Sequence, residues 1–194
     1  MALQSDLEVC GKAGGMAEAL TLVESQKPDL MVIDLKLREG SGLELIKQIK
    51  ARFPNIKMLV SSMYEEQLFA ERVLRAGASG YINKQESTEQ VVEAVRQILN
   101  GKVYLSNTMT EHMLYQLAVG PQEGAPDAVG SLSDRELQVF ELFGQGLGTR
   151  QIAERLNLSI KTIETYRATI KQKLNLNTSR ELVRRAVQWV LEER

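Results

Sequence analysis

The chain has 194 residues, 43% hydrophobic and 25% charged, with a net charge of −1; this suits one large globular domain or two small ones. No stretch approaches ~20 unbroken apolar residues, and MALQSDLEVC lacks the basic and long apolar regions of a signal peptide, so neither a membrane span nor secretion is expected. One cysteine, Cys10, and one histidine, His112, leave no internal disulfide and no Cys/His metal cluster, and point to a reducing cytoplasm.

Short apolar runs alternate with amphipathic stretches from the start. Residues 7–13 (LEVCGKA) are expected as a strand, and MAEALTLVESQK as a helix stopped by Pro28. Residues 30–34 (LMVID) form the continuous apolar run of a strand buried in a parallel sheet. Ser41 and Glu44 have capping-box spacing. The helix they open carries Leu45, Ile46, Ile49 and Phe53 on one face and ends before Pro54. Residues 57–62 predict a strand, residues 65–76 a helix closed by Gly77, and residues 80–84 a further strand. Ser87 and Gln90 repeat the capping spacing before a helix with Val91, Val95 and Ile98, closed by Asn100 and Gly101; residues 106–117 predict one more helix. Alternation of strand and helix with short loops means a parallel α/β sheet.

Residues 118–130, with Pro121, Pro126 and interspersed glycines, read as a flexible linker. The expected division is therefore 1–101 for the α/β domain, 102–130 for a linker helix and linker, and 131–194 for an all-α domain. Charge follows the same division. Residues 1–118 hold 13 Lys+Arg against 15 Asp+Glu, whereas residues 131–194 hold 11 against 8, the balance of a regulatory half joined to a nucleic-acid-binding half.

Four helices are expected after the linker. Ser133 and Glu136 box the first, which residues 144–148 end; Thr149 is expected to cap QIAERL, and Ser159 a helix reaching about Leu174. Thr178 and Glu181 cap the last, with Leu182, Val183, Ala186, Val187 and Val190 on its apolar face. A short helix, a tight turn and a longer helix make a helix-turn-helix. On the longer one, Ile163, Tyr166, Ile170 and Leu174 fall on the core side. Lys161, Glu164, Thr165, Ala168, Lys171 and Gln172 fall opposite. Long cations at the edges and shorter groups between them suit the phosphates and bases of a major groove; from periodicity alone, a solvated helix face is the alternative.

Asp34, Ser62 and Lys84 each end a strand. The carboxyl ends of parallel strands share one edge, so these side chains converge. A carboxylate, a hydroxyl and an ammonium suit a phosphoryl group, as nucleophile, hydrogen-bond donor and counter-charge. A haloacid-dehalogenase-type phosphatase would need a second aspartate two residues beyond Asp34, and that position is Lys36; an enzyme is not expected.

Two resemblances extend these readings. Residues 132–187 resemble the LuxR/FixJ-type (NarL-type) DNA-binding domain through Leu132-Ser133-x-Arg135-Glu136, Gly146-Leu147, Ile152-Ala153-x-x-Leu156, Ser159-x-Lys161-Thr162-Ile163-Glu164-Thr165 and Lys173-Leu174. The resemblance implies a transcription regulator that binds double-stranded DNA. Glu164, Thr165 and Ala168 would face the bases, Lys161, Arg167 and Lys171 the phosphates, and the last helix would mediate a homodimer, with Trp189 at its flank. Tyr166 stands where many members have histidine.

The order Asp34, Ser62, Gly77-Ala78-Ser79-Gly80-Tyr81, Lys84 resembles the flavodoxin-like receiver of two-component response regulators. That implies Asp34 as phosphoacceptor from a sensor histidine kinase, Ser62 as switch hydroxyl, Lys84 as phosphoryl-binding lysine and Tyr81 as aromatic switch residue, with Mg²⁺ in the full-length family form. Arg38 replaces a common proline. His112 is expected to be an ordinary side chain rather than a phosphorelay histidine. A receiver opens on a central strand ending in an acidic Mg²⁺-binding pair, then a helix. Here that strand and most of that helix are expected to be missing, which leaves Asp34 as the one metal-site carboxylate and no metal bound by the chain as written. A phosphorylation-independent DNA-binding protein with a degenerate receiver is the alternative.

Overall fold

The apolar runs pair side by side, because the apolar centre of each needs helices on the sheet faces to cover it. β1 (Leu30–Ile33), β2 (Lys57–Ser62) and β3 (Gly80–Asn83) form a parallel sheet in the order β1-β2-β3. Ile33 registers with Val60, and Ser62 with Asn83. The structure, a computed structural model, describes residues 4–38, 40–119 and 128–192. The chain divides into two units, Met1–Gly120 and Pro121–Arg194.

In the first unit, α1 (Met16–Gln26) ends at Lys27, which takes the left-handed conformation just before Pro28. α2 (Gly42–Arg52) connects β1 to β2, and α3 (Glu66–Ala76) connects β2 to β3. α4 (Thr88–Leu99) begins with the expected Ser87/Gln90 capping box and covers one sheet face. There Leu59 and Ile82 pack with Ala94, Val95 and Ile98. Tyr104 bridges to Gly80, and α5 (Asn107–Val119), the expected linker helix, packs on α3 of this unit.

Two expectations are corrected here. Residues 7–13 form no strand: a strand needs a neighbour to satisfy its backbone, and no described strand pairs with them. The segment is held differently. Arg96 of α4 donates to both Asp6 carboxylate oxygens at 2.8 Å and to Gln4, while Leu7 packs on the α4 cluster. β1 is accordingly an edge strand, with Val32 44% exposed. Ser41 is the N-cap of α2 but its side chain makes no cap hydrogen bond; the Gly42 amide donates instead to the Leu35 carbonyl at 3.0 Å.

The second unit is helical, with a 3₁₀ turn (Ala128–Ser131), then α6 (Asp134–Gly144), α7 (Thr149–Leu156), α8 (Ile160–Lys173) and α9 (Ser179–Glu192). Ser133/Glu136, Ser159 and Thr178/Glu181 act as expected. Thr149 does not cap α7: Gly148 is its N-cap, and the Gln151 side-chain carbonyl accepts the Gly148 amide at 2.8 Å. α6 and α9 pack closely at Gly144. A Cβ there would lie 2.4 Å from the Ala186 carbonyl oxygen and 2.6 Å from Val190 Cγ2. Trp189 turns inward beside Phe140, ring centroids 5.9 Å apart, and so packs locally. Val183 and Val187, expected on the apolar face, are exposed with Leu191. Most of the expected linker falls on residues 120–127, outside the described residues. No described helix is long and apolar enough to cross a membrane.

Candidate functional site

Parallel register brings the strand ends together at one edge. Asp34 follows β1, Ser62 ends β2 and Lys84 follows β3. The Lys84 ammonium donates to Asp34 Oδ2 at 2.6 Å, and the other Asp34 oxygen accepts the Lys36 amide at 3.0 Å. The Lys84 amide donates to the Ser62 carbonyl at 2.9 Å. Both ion-pair partners remain partly exposed, at 39% and 30% for the lysine and aspartate side chains, so solvent screens the pair and its contribution to stability is small. A pair open to solvent is also open to an incoming phosphoryl donor.

Ser62 is buried, and its hydroxyl oxygen accepts the Tyr64 amide at 3.3 Å. Tyr81 is fully buried on β3, and its hydroxyl donates to the Tyr64 carbonyl at 2.6 Å. Tyr64 in turn stacks on Phe69 of α3 at 4.7 Å. Ser62 and Tyr81 thus hold opposite sides of one residue in the β2–α3 loop. The Arg38 amide donates to the Gly14 carbonyl at 3.2 Å, a bond that proline, with no N–H, cannot make.

Gly42 was not singled out from sequence. A Cβ at Gly42 would lie 2.2 Å from the Asp34 carbonyl oxygen and 2.6 Å from Leu35 Cα. The start of α2 therefore rests directly on the Asp34 loop, and only glycine permits it. A glycine inside a helical pattern was the available signal, but its partner lies two turns' worth of residues back in the chain.

In the second unit, α7 and α8 flank a short turn at residues 157–159. Asn157 takes the left-handed conformation that turns the chain. Ile163, Ile170 and Leu174 are buried, and Tyr166 is half-buried at the rim of the core. On the opposite side Lys161, Thr165, Ala168 and Gln172 are exposed, with Glu164 and Lys171 partly so. The Thr165 hydroxyl donates to the Lys161 carbonyl at 3.0 Å. Arg167 is ion-paired with Glu164 one turn earlier.

A second contact fixes this helix. Glu136 is 6% exposed; its Oε2 accepts the Ser133 amide at 2.6 Å and the Lys173 ammonium at 2.7 Å. Lys173 also donates to the Ser131 carbonyl at 3.3 Å. Burial pushes the Glu136 carboxyl up, but the Lys173 and Ser133 donors outweigh it and hold it below the usual carboxylate range. The last turn of α8 is thereby clamped to the first turn of α6. The Leu-Ser-x-Arg-Glu and Lys-Leu segments noticed in the sequence are two halves of this contact.

Comparison with known proteins bears on both units. Residues 1–96 match the response regulator receiver domain, and residues 130–186 match the bacterial regulatory proteins of the luxR family. Over 188 residues the chain is 37% identical to the oxygen regulatory protein NreC of Staphylococcus carnosus, spanning 95% of this chain and 87% of that protein. The chain belongs to the LuxR family of response regulators. As a LuxR-family response regulator it is a two-component DNA-binding transcription regulator, and its receiver domain implies control by phosphorylation. NreC of Staphylococcus epidermidis is 34% identical over 195 residues, 98% of this chain and 89% of that one. Salmonella typhimurium RcsB shares the fold, with a TM-score of 0.72 at 22% identity over 97% of this chain and 88% of that chain.

Receivers as a family use Mg²⁺ in phosphorylation. Both Asp34 oxygens already accept hydrogen bonds, and the described residues contain no group of three His, Cys, Asp or Glu side chains placed to hold a metal ion. The described donors alone do not fit a divalent cation, which in proteins takes several oxygen ligands.

Proposed function

We propose that in the full-length family form a sensor histidine kinase controls this regulator in the cytoplasm by placing a phosphoryl group on Asp34, and that α8 then reads duplex DNA as part of a homodimer. We assign the receiver to residues 1–101, the linker helix and linker to 102–130 and the DNA-binding domain to 131–194. The observation that carries the reading is the opposition on α8 of a buried Ile163/Ile170 row and a polar outer face on which Lys161 is exposed and Lys171 partly exposed. The buried row holds the helix rigid, and the outer face is free to enter a groove. Lys161, Arg167 and Lys171 are the phosphate contacts; Glu164, Thr165 and Ala168 face the bases.

At the receiver, an Asp34 carboxylate oxygen is the phosphoacceptor. Lys84, now 2.6 Å from that carboxylate, offsets charge on the phosphoryl oxygens. Ser62 donates to the phosphoryl group its hydroxyl hydrogen, which the Tyr64 amide bond does not use. Tyr81 is coupled to Ser62 because it holds the same residue. The exposed row Val183, Val187 and Leu191 on α9 supplies the dimer surface.

Two measurements test the proposal. In DNA binding followed against salt, Lys161→Ala and Lys171→Ala each weaken binding on all sequences and lower the salt slope by about 1. In the full-length family form, intact mass after treatment with a small-molecule phosphodonor and Mg²⁺ shows one added phosphoryl group, absent in Asp34→Asn. No mass gain in that form favours the phosphorylation-independent alternative, and unchanged salt slopes refute the assigned helix face.

A further inference from the structure

We propose that Glu164 determines DNA specificity by holding Arg167, so that the ion pair across one turn of α8 is a lock which random duplex leaves closed and the cognate site opens. The inference rests on the DNA-reading role given to α8 above. Glu164 stands among Lys161, Arg167 and Lys171 on a surface meant to meet phosphates. A lone carboxylate there opposes binding to any nucleic acid. In this structure it is not alone: Glu164 is paired with Arg167, and both side chains are partly exposed, at 40% and 31%. Lys161 and Lys171 carry no ion pair among the described residues.

This arrangement has two consequences. While the pair is closed, the Arg167 charge is offset locally and releases no counterion from DNA. Generic binding is then driven by Lys161 and Lys171. The carboxylate, for its part, leaves Arg167 only where something replaces the guanidinium. In the major groove the donors that can do so are the cytosine N4 and adenine N6 amino groups; guanine N7 and O6 and thymine O4 are acceptors and repel it. When Glu164 takes such a donor, the freed guanidinium fork turns to the neighbouring phosphate, for which its geometry is matched. Base contact and phosphate contact are gained together, so one correct base pair is counted twice. Thr165 competes poorly for this reading role, because its hydroxyl hydrogen is already given to the Lys161 carbonyl.

The test uses the full chain, its Glu164→Gln, Arg167→Gln and double variants, and Lys161→Ala as control. Fluorescence anisotropy follows binding to a random-sequence duplex and to a duplex enriched from a random pool by the parent protein. On random duplex, Glu164→Gln is expected to bind about fivefold tighter at about 0.15 M salt and to steepen the salt slope by about 0.9, the increment for one further phosphate contact. Arg167→Gln leaves the Glu164 carboxylate unpaired, so it neither tightens random binding nor steepens its slope. On the enriched duplex each single change weakens binding, and the double variant is no weaker than the worse single one. An unchanged random-duplex slope in Glu164→Gln, a steepened one in Arg167→Gln, or additive losses on the enriched duplex would overturn the lock. If Lys161→Ala also leaves the slope unchanged, the DNA-reading face itself is wrong. A helix merely destabilised by Glu164→Gln would lose affinity on both duplexes, and that outcome too overturns the proposal.

Discussion

Lys173→Met should destabilise the C-terminal unit more than Glu136→Gln, although the two residues share one ion pair. The asymmetry comes from burial: the Glu136 side chain is 8% exposed and that of Lys173 is 36% exposed. Removing the ammonium strands a nearly buried carboxylate with the Ser133 amide as its remaining donor, at a cost of about 3 kcal/mol. Removing the carboxylate charge leaves an ammonium that can turn to water. The side-chain amide introduced by Glu136→Gln would still offer an oxygen to Ser133, so the loss is about 1 kcal/mol. Trp189 is the single tryptophan of the chain and is packed against Phe140. Its fluorescence during urea unfolding therefore reports this unit within the full-length protein. The pH dependence is a second readout. Because the folded Glu136 carboxyl is held below its usual range, the pair stabilises fully above about pH 4.3 and its contribution is lost as the pH falls through the depressed folded value. The gap between parent and Glu136→Gln should accordingly shrink from pH 7 towards pH 3. A larger cost for Glu136→Gln than for Lys173→Met at pH 7, or a gap independent of pH, would refute this account.

Three other substitutions probe separate contacts. Gly144→Ala drives a methyl group into the Ala186 carbonyl and Val190, 2.4 and 2.6 Å away, and should cost about 1–3 kcal/mol in the same Trp189 fluorescence assay. Gly42→Ala pushes the Asp34 loop off the start of α2; it should slow phosphoryl gain at Asp34, read by intact mass, while leaving the Trp189 transition unchanged. Val187→Glu puts a charge in the exposed row on α9 and should abolish dimers in analytical ultracentrifugation without lowering the midpoint of unfolding.

What the sequence alone determined is what local chemistry decides. The runs at 30–33, 57–62 and 80–83 become parallel strands because each has an apolar centre, Met31 to Ile33, Met58 to Val60 and Tyr81 with Ile82, and Ser87, Ser133 and Ser159 start helices because each serine oxygen reaches an amide within one turn. The two sides of α8 follow from its 3.6-residue period, and the meeting of Asp34 with Lys84 follows from parallel order. Tertiary structure decided the contacts whose partners lie far along the chain. Residues 7–13 have strand-like composition but no strand beside them, so Arg96, 90 residues away, holds Asp6 instead. The α9 stripe was broad enough to face either way; close approach at Gly144 turns Trp189 inward and leaves Val183 and Val187 outside. Glu136 looked like a capping residue and is one, but the Lys173 ammonium that makes it a clamp comes from 37 residues later. Hydrophobic period and capping act over one or two turns and can be read in order along a chain. Which charge meets which, and which face of a stripe is covered, depends on the three-dimensional closure that those local elements leave open.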